Sequence, residues 1–195
     1  KEKGIRAILK IDSGTEENGL LKDFDIESMV YYGFENGCYG TKMRSIIHNI
    51  DTIAPVLEQQ FKLAETIYEN NLMPIVEPEI DINNPNKQML EDALAKSLKD
   101  HLGKMKGRCI LKLTIPDTPN TYLGLTESHS LIRLVGLSGG YSTEQACLKL
   151  SFNRHMQASF SRALSEGLHY DDPDEYFETA ISKNISNIKQ ASSSG

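Results

Sequence analysis

The stretch Arg108-Cys109-Ile110-Leu111-Lys112-Leu113-Thr114-Ile115-Pro116 puts one lysine inside a run of strand-forming apolar residues. Continuous hydrophobicity over 108–113 suits a parallel strand covered on both faces. A lysine among apolar residues is costly to keep charged, so desolvation favours the free amine, the nucleophilic form. The segment alone equally fits a strand-end lysine that reaches solvent. What decides between these readings lies outward in both directions.

Similar apolar runs occur at 5–11, 38–42, 72–76, 131–137 and 156–160. Between most of them the spacing turns helical. Ile53, Val56, Leu57, Phe61, Ala64, Ile67 and Tyr68 share one helix face, and Met89, Leu90, Ala93, Leu94, Leu98 and Leu102 share another. Gly103 is expected to cap the second helix. Weaker helical patterns cover 142–152, 172–189 and 20–36, whereas 117–130 is turn-rich. Residues 191–195 read as a disordered tail after a single domain over 1–190.

Strand and helix alternating about six times means an α/β fold with a parallel sheet. No GxGxxG or GxxxxGK[ST] motif supports a nucleotide-binding open sheet. Lys10, Lys42, Glu77, Lys112, Ser138 and Arg162 each fall at or just past the end of a different predicted strand. A (β/α)8 barrel assembles its active site in that way, from one rim.

The 195 residues suffice for one self-supporting core. A net charge of −6 argues against a nucleic-acid or anionic-membrane surface as the main business. No apolar run has the ~20 residues of a membrane span. Cys38, Cys109 and Cys147 form no CxxC pair, which fits reduced thiols in a cytoplasmic protein. The five histidines are too scattered for a zinc site.

Glu77 and Glu79 flank Pro78, and at i and i+2 of an extended chain they face the same way. Close carboxylates suit proton transfer, although a solvated strand-end pair has the same spacing. Lys42 and Arg44 add cations that also fit ordinary ion pairs. Ser138-Gly139-Gly140, between a strand and a helix, can turn backbone N–H groups and a helix N-terminus toward an anion. Arg162, after Ser159-Phe160-Ser161, supplies a guanidinium for bidentate phosphate contact.

Six segments in order then resemble the class I (Schiff-base) fructose-1,6-bisphosphate aldolases, the short bacterial type above all. They are Ile8–Asp12, Gly40–Ser45, Pro74–Glu79, Leu111–Thr114, Leu137–Gly140 and Phe160–Leu164. The resemblance implies a lysine Schiff base at Lys112 and proton transfer by Glu77. It makes Lys42 an electrostatic assistant with Glu79 as its partner. Ser138, the amides of Gly139 and Ser161, and Arg162 are expected to hold one phosphate, with Lys10 and Arg44 at the other. No metal or other cofactor is implied, and the partner is a small sugar phosphate. Ser161 stands where many members have glycine, and Ser13 where a lysine is common. The C-terminus also lacks the tyrosine tail of the animal enzymes.

The family pattern has two further strands before position 1, the first bearing a catalytic aspartate. On that reading the chain covers about strands 3 to 8 and the functional protein carries roughly 90–100 more residues upstream. Six strands leave two open edges, which favour association into a homo-oligomer. The alternatives are a transaldolase or another Schiff-base sugar-phosphate aldolase, or a non-catalytic barrel fragment.

Overall fold

The computed structural model describes residues 4–193. Six strands, β1 (Ile8–Lys10), β2 (Gly40–Ile47), β3 (Met73–Ile80), β4 (Cys109–Thr114), β5 (Leu131–Leu137) and β6 (Met156–Ala158), form one sheet in the order β1-β2-β3-β4-β5-β6. Every pairing is parallel. A doubly wound sheet reverses its strand order at a switch point, whereas a barrel pairs each strand with its neighbours in sequence. The unbroken order is therefore that of a partial (β/α)8 barrel.

The intervening helices are α1 (Ile26–Glu35), α2 (Ile50–Glu69), α3 (Lys87–Lys104), α4 (Thr143–Ser151) and α5 (Asp174–Ser193). Between β4 and β5 the chain makes only a 3₁₀ turn, Leu123–Glu127. The stripe Ile53, Val56, Leu57, Phe61, Ala64 and Ile67 buries α2, which packs on β2 and β3. In β2 the alternate residues Thr41, Met43, Ser45 and Ile47 are buried, while Lys42 and Arg44 point to the other face. Leu111 and Leu113 of β4 likewise join the core while Lys112 takes the opposite face. One sheet face thus builds the core and the other carries the charge, so the sheet is not apolar on both faces.

Several expectations change. Lys42 and Glu77 lie within their strands rather than at the ends, because β2 and β3 each run past the polar residues. A polar residue does not end a strand whose inner face is polar. Gly103 does not stop α3, which continues to Lys104 with Met105 as its cap. The space beside Gly103 is open, so packing makes no demand there. Residues 191–193 are no tail. They end α5, where Ala191 is buried and Ser192 Oγ accepts a hydrogen bond from Ala158 N of β6 at 2.9 Å. Ser194 and Gly195 lie outside the described residues.

Candidate active site

The β2–β3 register sets Arg44 opposite Glu77 and Lys42 opposite Ile75, all on the polar face. β3 pairs with β4 at Ile75–Ile110 and Val76–Leu111, which brings Glu77 and Lys112 side by side one step further on. Lys112 Nζ lies 3.2 Å from Glu77 Oε1, and Lys42 Nζ lies 2.8 Å from Oε2 of the same carboxylate. The Glu77 side chain is only 4% exposed, so two cations compensate one buried anion. Oε2 nonetheless has no aligned hydrogen-bond donor among the described residues, which makes the Lys42 contact an ion pair by distance alone. Lys112 is thus not surrounded by apolar groups at its tip. Its ammonium enters a polar cluster on the charged face of the sheet.

Side chains replace the sheet ladder at this point. Glu77 N–H donates to Gln60 Oε1 of α2 at 3.0 Å. Farther along, Thr114 Oγ1 accepts from Ile80 N–H at 3.0 Å and donates to the Ile80 carbonyl at 2.6 Å. These bonds hold β3 and β4 beyond the last paired positions, Ile75–Ile110 and Val76–Leu111.

Glu79 is not the partner of Lys42. It takes a forked contact from Arg44, through Nε to Oε2 and through Nη2 to Oε1, the latter at 2.9 Å. The hydrogen bond to Glu79 raises the pKa of Arg44, against the opposing effect of burial. The two glutamates therefore divide the two cations of β2 between them, Glu77 taking Lys42 and Glu79 taking Arg44.

A cleft of about 420 Å³ opens above this cluster. Glu77, Lys112, Arg44 and Glu79 lie along it, together with Ser138, Gly139, Ser161 and Arg162 from the loops after β5 and β6. Lys42 joins through Glu77. Lys10 is not on the cleft wall. Its Nζ holds Asp12 Oδ1 at 2.7 Å and the Asp12 carbonyl at 2.6 Å. A larger groove, of about 730 Å³ between α4 and α5, has no paired amine and carboxylate of this kind.

Gly139 has φ +60°, and a Cβ there would come 2.6 Å from Ile82 Cγ2. The loop after β5 needs glycine for both its backbone and its packing. The helix N-terminus behind it is less open than the sequence implies. Ser142 Oγ accepts from Gln145 N, and Glu166 Oε2 takes Thr143 N–H at 2.7 Å. The Arg162 guanidinium has no carboxylate partner among the described residues.

Asp12, Gln60, Thr143 and Glu166 also hold the site together, and of these only Asp12 has a signal in the sequence, since it follows Lys10 by two residues. Burial works to raise its pKa, but hydrogen bonds from Lys10 and the Arg44 amide and the charges of Lys10 and Lys42 prevail, and the net shift is downward. Among the described residues no three His, Cys, Asp or Glu side chains gather as metal ligands, and no helix is long and apolar enough to cross a membrane.

No protein-family model matches the chain. It is 40% identical, over 98% of its length and 68% of the relative's, to the class 1 fructose-bisphosphate aldolase of Clostridium acetobutylicum. It is 40% identical to that of Synechocystis sp., over 98% of this chain and 67% of the relative. Among solved structures it is similar to fructose-bisphosphate aldolase from Plasmodium falciparum, in a complex with TRAP and a small-molecule inhibitor. That likeness has a TM-score of 0.79 over 98% of this chain and 70% of the other, at 19% identity, and it speaks for the fold. With 40% identity across nearly its whole length and over two thirds of the relative, the chain belongs to the class 1 fructose-bisphosphate aldolase family.

Proposed function

We propose that the protein cleaves fructose 1,6-bisphosphate into dihydroxyacetone phosphate and glyceraldehyde 3-phosphate through a Schiff base on Lys112. The observation that carries this reading is the contact between Lys112 Nζ and Glu77 Oε1 at 3.2 Å, with Lys42 Nζ on the other oxygen at 2.8 Å. A carboxylate in contact with the amine can take its proton, and the neighbouring ammonium steadies the carboxylate as the charge moves.

The deprotonated amine attacks the C2 ketone, Glu77 returns the proton to the carbinolamine hydroxyl, and loss of water gives the protonated imine and a free carboxylate. Glu77 then accepts the C4 hydroxyl proton while the C3–C4 bonding pair moves into the imine to form an enamine. Glyceraldehyde 3-phosphate leaves, the proton held by Glu77 is delivered to C3, and water hydrolyses the imine to release dihydroxyacetone phosphate and the free lysine. Glu79 acts indirectly in this scheme, by holding Arg44 against the cleft.

The C1 phosphate is assigned to the Ser138 hydroxyl, the Gly139 and Ser161 amides and the unpaired Arg162. Arg44, on the cleft wall, is assigned to the second phosphate, and Lys10 joins it only by leaving its contacts with Asp12. The reaction belongs to glycolysis and gluconeogenesis, hence to the cytoplasm.

Steady-state cleavage of fructose 1,6-bisphosphate, fructose 1-phosphate and fructose 6-phosphate tests the assignment. The bisphosphate should have the highest kcat/KM, and activity should survive EDTA. Equal rates on monophosphates would favour another Schiff-base aldolase. A loss in EDTA that zinc restores would remove the Schiff-base reading.

A further inference from the structure

The loops after β5 and β6 both line the cleft, yet their strands end well apart in sequence. What joins the loops is Thr143, the first residue of α4, which is buried. Its Oγ1 donates to the Ala163 carbonyl at 2.6 Å, and its N–H donates to Glu166 Oε2 at 2.7 Å. Ala163 follows Arg162 directly. On the other side, Tyr141 N–H donates to the Ser138 carbonyl at 2.8 Å, so Thr143 is tied back to Ser138 through one tight turn.

The segment 163–166 is gripped from its far side as well. Asn184 Nδ2 of α5 donates to the carbonyls of Leu164 and Glu166 at 3.0 and 3.1 Å. Elsewhere the loop is exposed, with Ser161, Arg162, Ser165, Glu166 and Gly167 all at the surface. An exposed loop with little apolar anchorage takes its position from its hydrogen bonds. Both bonds from α4 start at one residue, Thr143.

We propose that Thr143 and Glu166 are positioning residues that latch the two phosphate-binding loops together and set the separation of Ser138 and Gly139 from Ser161 and Arg162. The proposal rests on the phosphate assignment made above. Neither residue touches the phosphate. A phosphate needs its donors from both loops at hydrogen-bonding distance at once, so loosening the latch weakens binding without removing any donor. Chemistry at Lys112 and Glu77, on β4 and β3, lies outside the latch.

The test uses the full chain and two probes. Inorganic phosphate binding, followed by titration calorimetry, should weaken about five- to tenfold in Thr143→Val, the equivalent of one lost hydrogen bond. Thr143→Ser restores the hydroxyl and should bind within about twofold of the parent. Borohydride trapping should need more dihydroxyacetone phosphate in Thr143→Val, while trapping with dihydroxyacetone, which has no phosphate, stays unchanged. General structural damage would impair both ketones alike. Glu166→Ala, at an exposed position, should also weaken phosphate binding and carries the test if Thr143→Val fails to fold.

Arg162→Ala separates the two levels of the argument. Weak phosphate binding in Arg162→Ala with parental binding in Glu166→Ala and Thr143→Val would overturn the latch and leave the phosphate assignment standing. Parental binding in Arg162→Ala would overturn the assignment and the latch with it.

Discussion

Glu77 Oε1 and Lys112 Nζ stand 3.2 Å apart on adjacent strands, at the level where side chains from α2 and β4 take over from the sheet ladder. An ion pair placed inside a regular ladder would usually be structural. Here the pair lines a cleft that Arg162 also lines, and among the described residues Arg162 has no carboxylate partner. That arrangement separates a reactive pair from a solvated one and leads to graded expectations for the two glutamates.

Glu77→Gln keeps size and hydrogen bonding but removes proton transfer, so kcat should fall by roughly 10²–10⁴-fold while KM changes little. Glu79→Gln should be much milder, since it loosens Arg44 and leaves the Lys42–Glu77–Lys112 cluster intact. Steady-state kinetics of both variants decide the matter, and equal small effects would return Glu77 to a merely structural role.

The pairing of Glu79 could not be read from the strands separately. Alternation along β3 puts both glutamates on one face, but which cation each meets depends on the stagger between β2 and β3. That register is a property of the paired strands, in which Gly40 lies against Met73 so closely that a Cβ there would come 2.0 Å from the Met73 carbonyl oxygen. The six strands were legible because Leu111, Leu113, Val76 and their counterparts must be apolar on the core face. Their lengths were not, because the polar face of a barrel imposes no such pattern. Gln60 and Thr143 were hidden for a different reason. Each is an ordinary helix residue whose importance comes from a partner distant in sequence.

Asp12 should make stability depend on acid. Its folded-state pKa lies below the ordinary 3.8, so the stabilisation is present above the unfolded value and is lost as pH falls through the lower, folded one. The difference in unfolding free energy between the parent and Asp12→Asn should therefore be constant near neutrality and shrink below about pH 4. Denaturant titrations at several pH values measure it, and a difference that grows in acid would contradict the assignment.

Lys87→Met should cost about 3–5 kcal/mol, because it strands the buried Glu91 carboxylate and removes a donor from the Ile115 carbonyl. Burial already raises the pKa of Glu91 despite Lys87. The loss should accordingly be smaller in mild acid, where Glu91 takes up a proton. Chemical denaturation checks both the size and the trend, and a neutral substitution would show that the cluster does not hold the loop after β4.

Gly139→Ala forces an L side chain into a left-handed backbone and against Ile82. A cost of at least about 1 kcal/mol follows from the backbone alone. Phosphate protection against thermal unfolding should fall in the same variant. Unchanged protection would remove the Gly139 amide from the phosphate site.

Borohydride reduction with dihydroxyacetone phosphate, followed by peptide mapping, tests the Schiff-base assignment most directly. One stable adduct per chain is expected, on the peptide containing Lys112, and Lys112→Ala should abolish it together with cleavage. An adduct on Lys42, or none in a chain that still cleaves fructose 1,6-bisphosphate, would contradict the account.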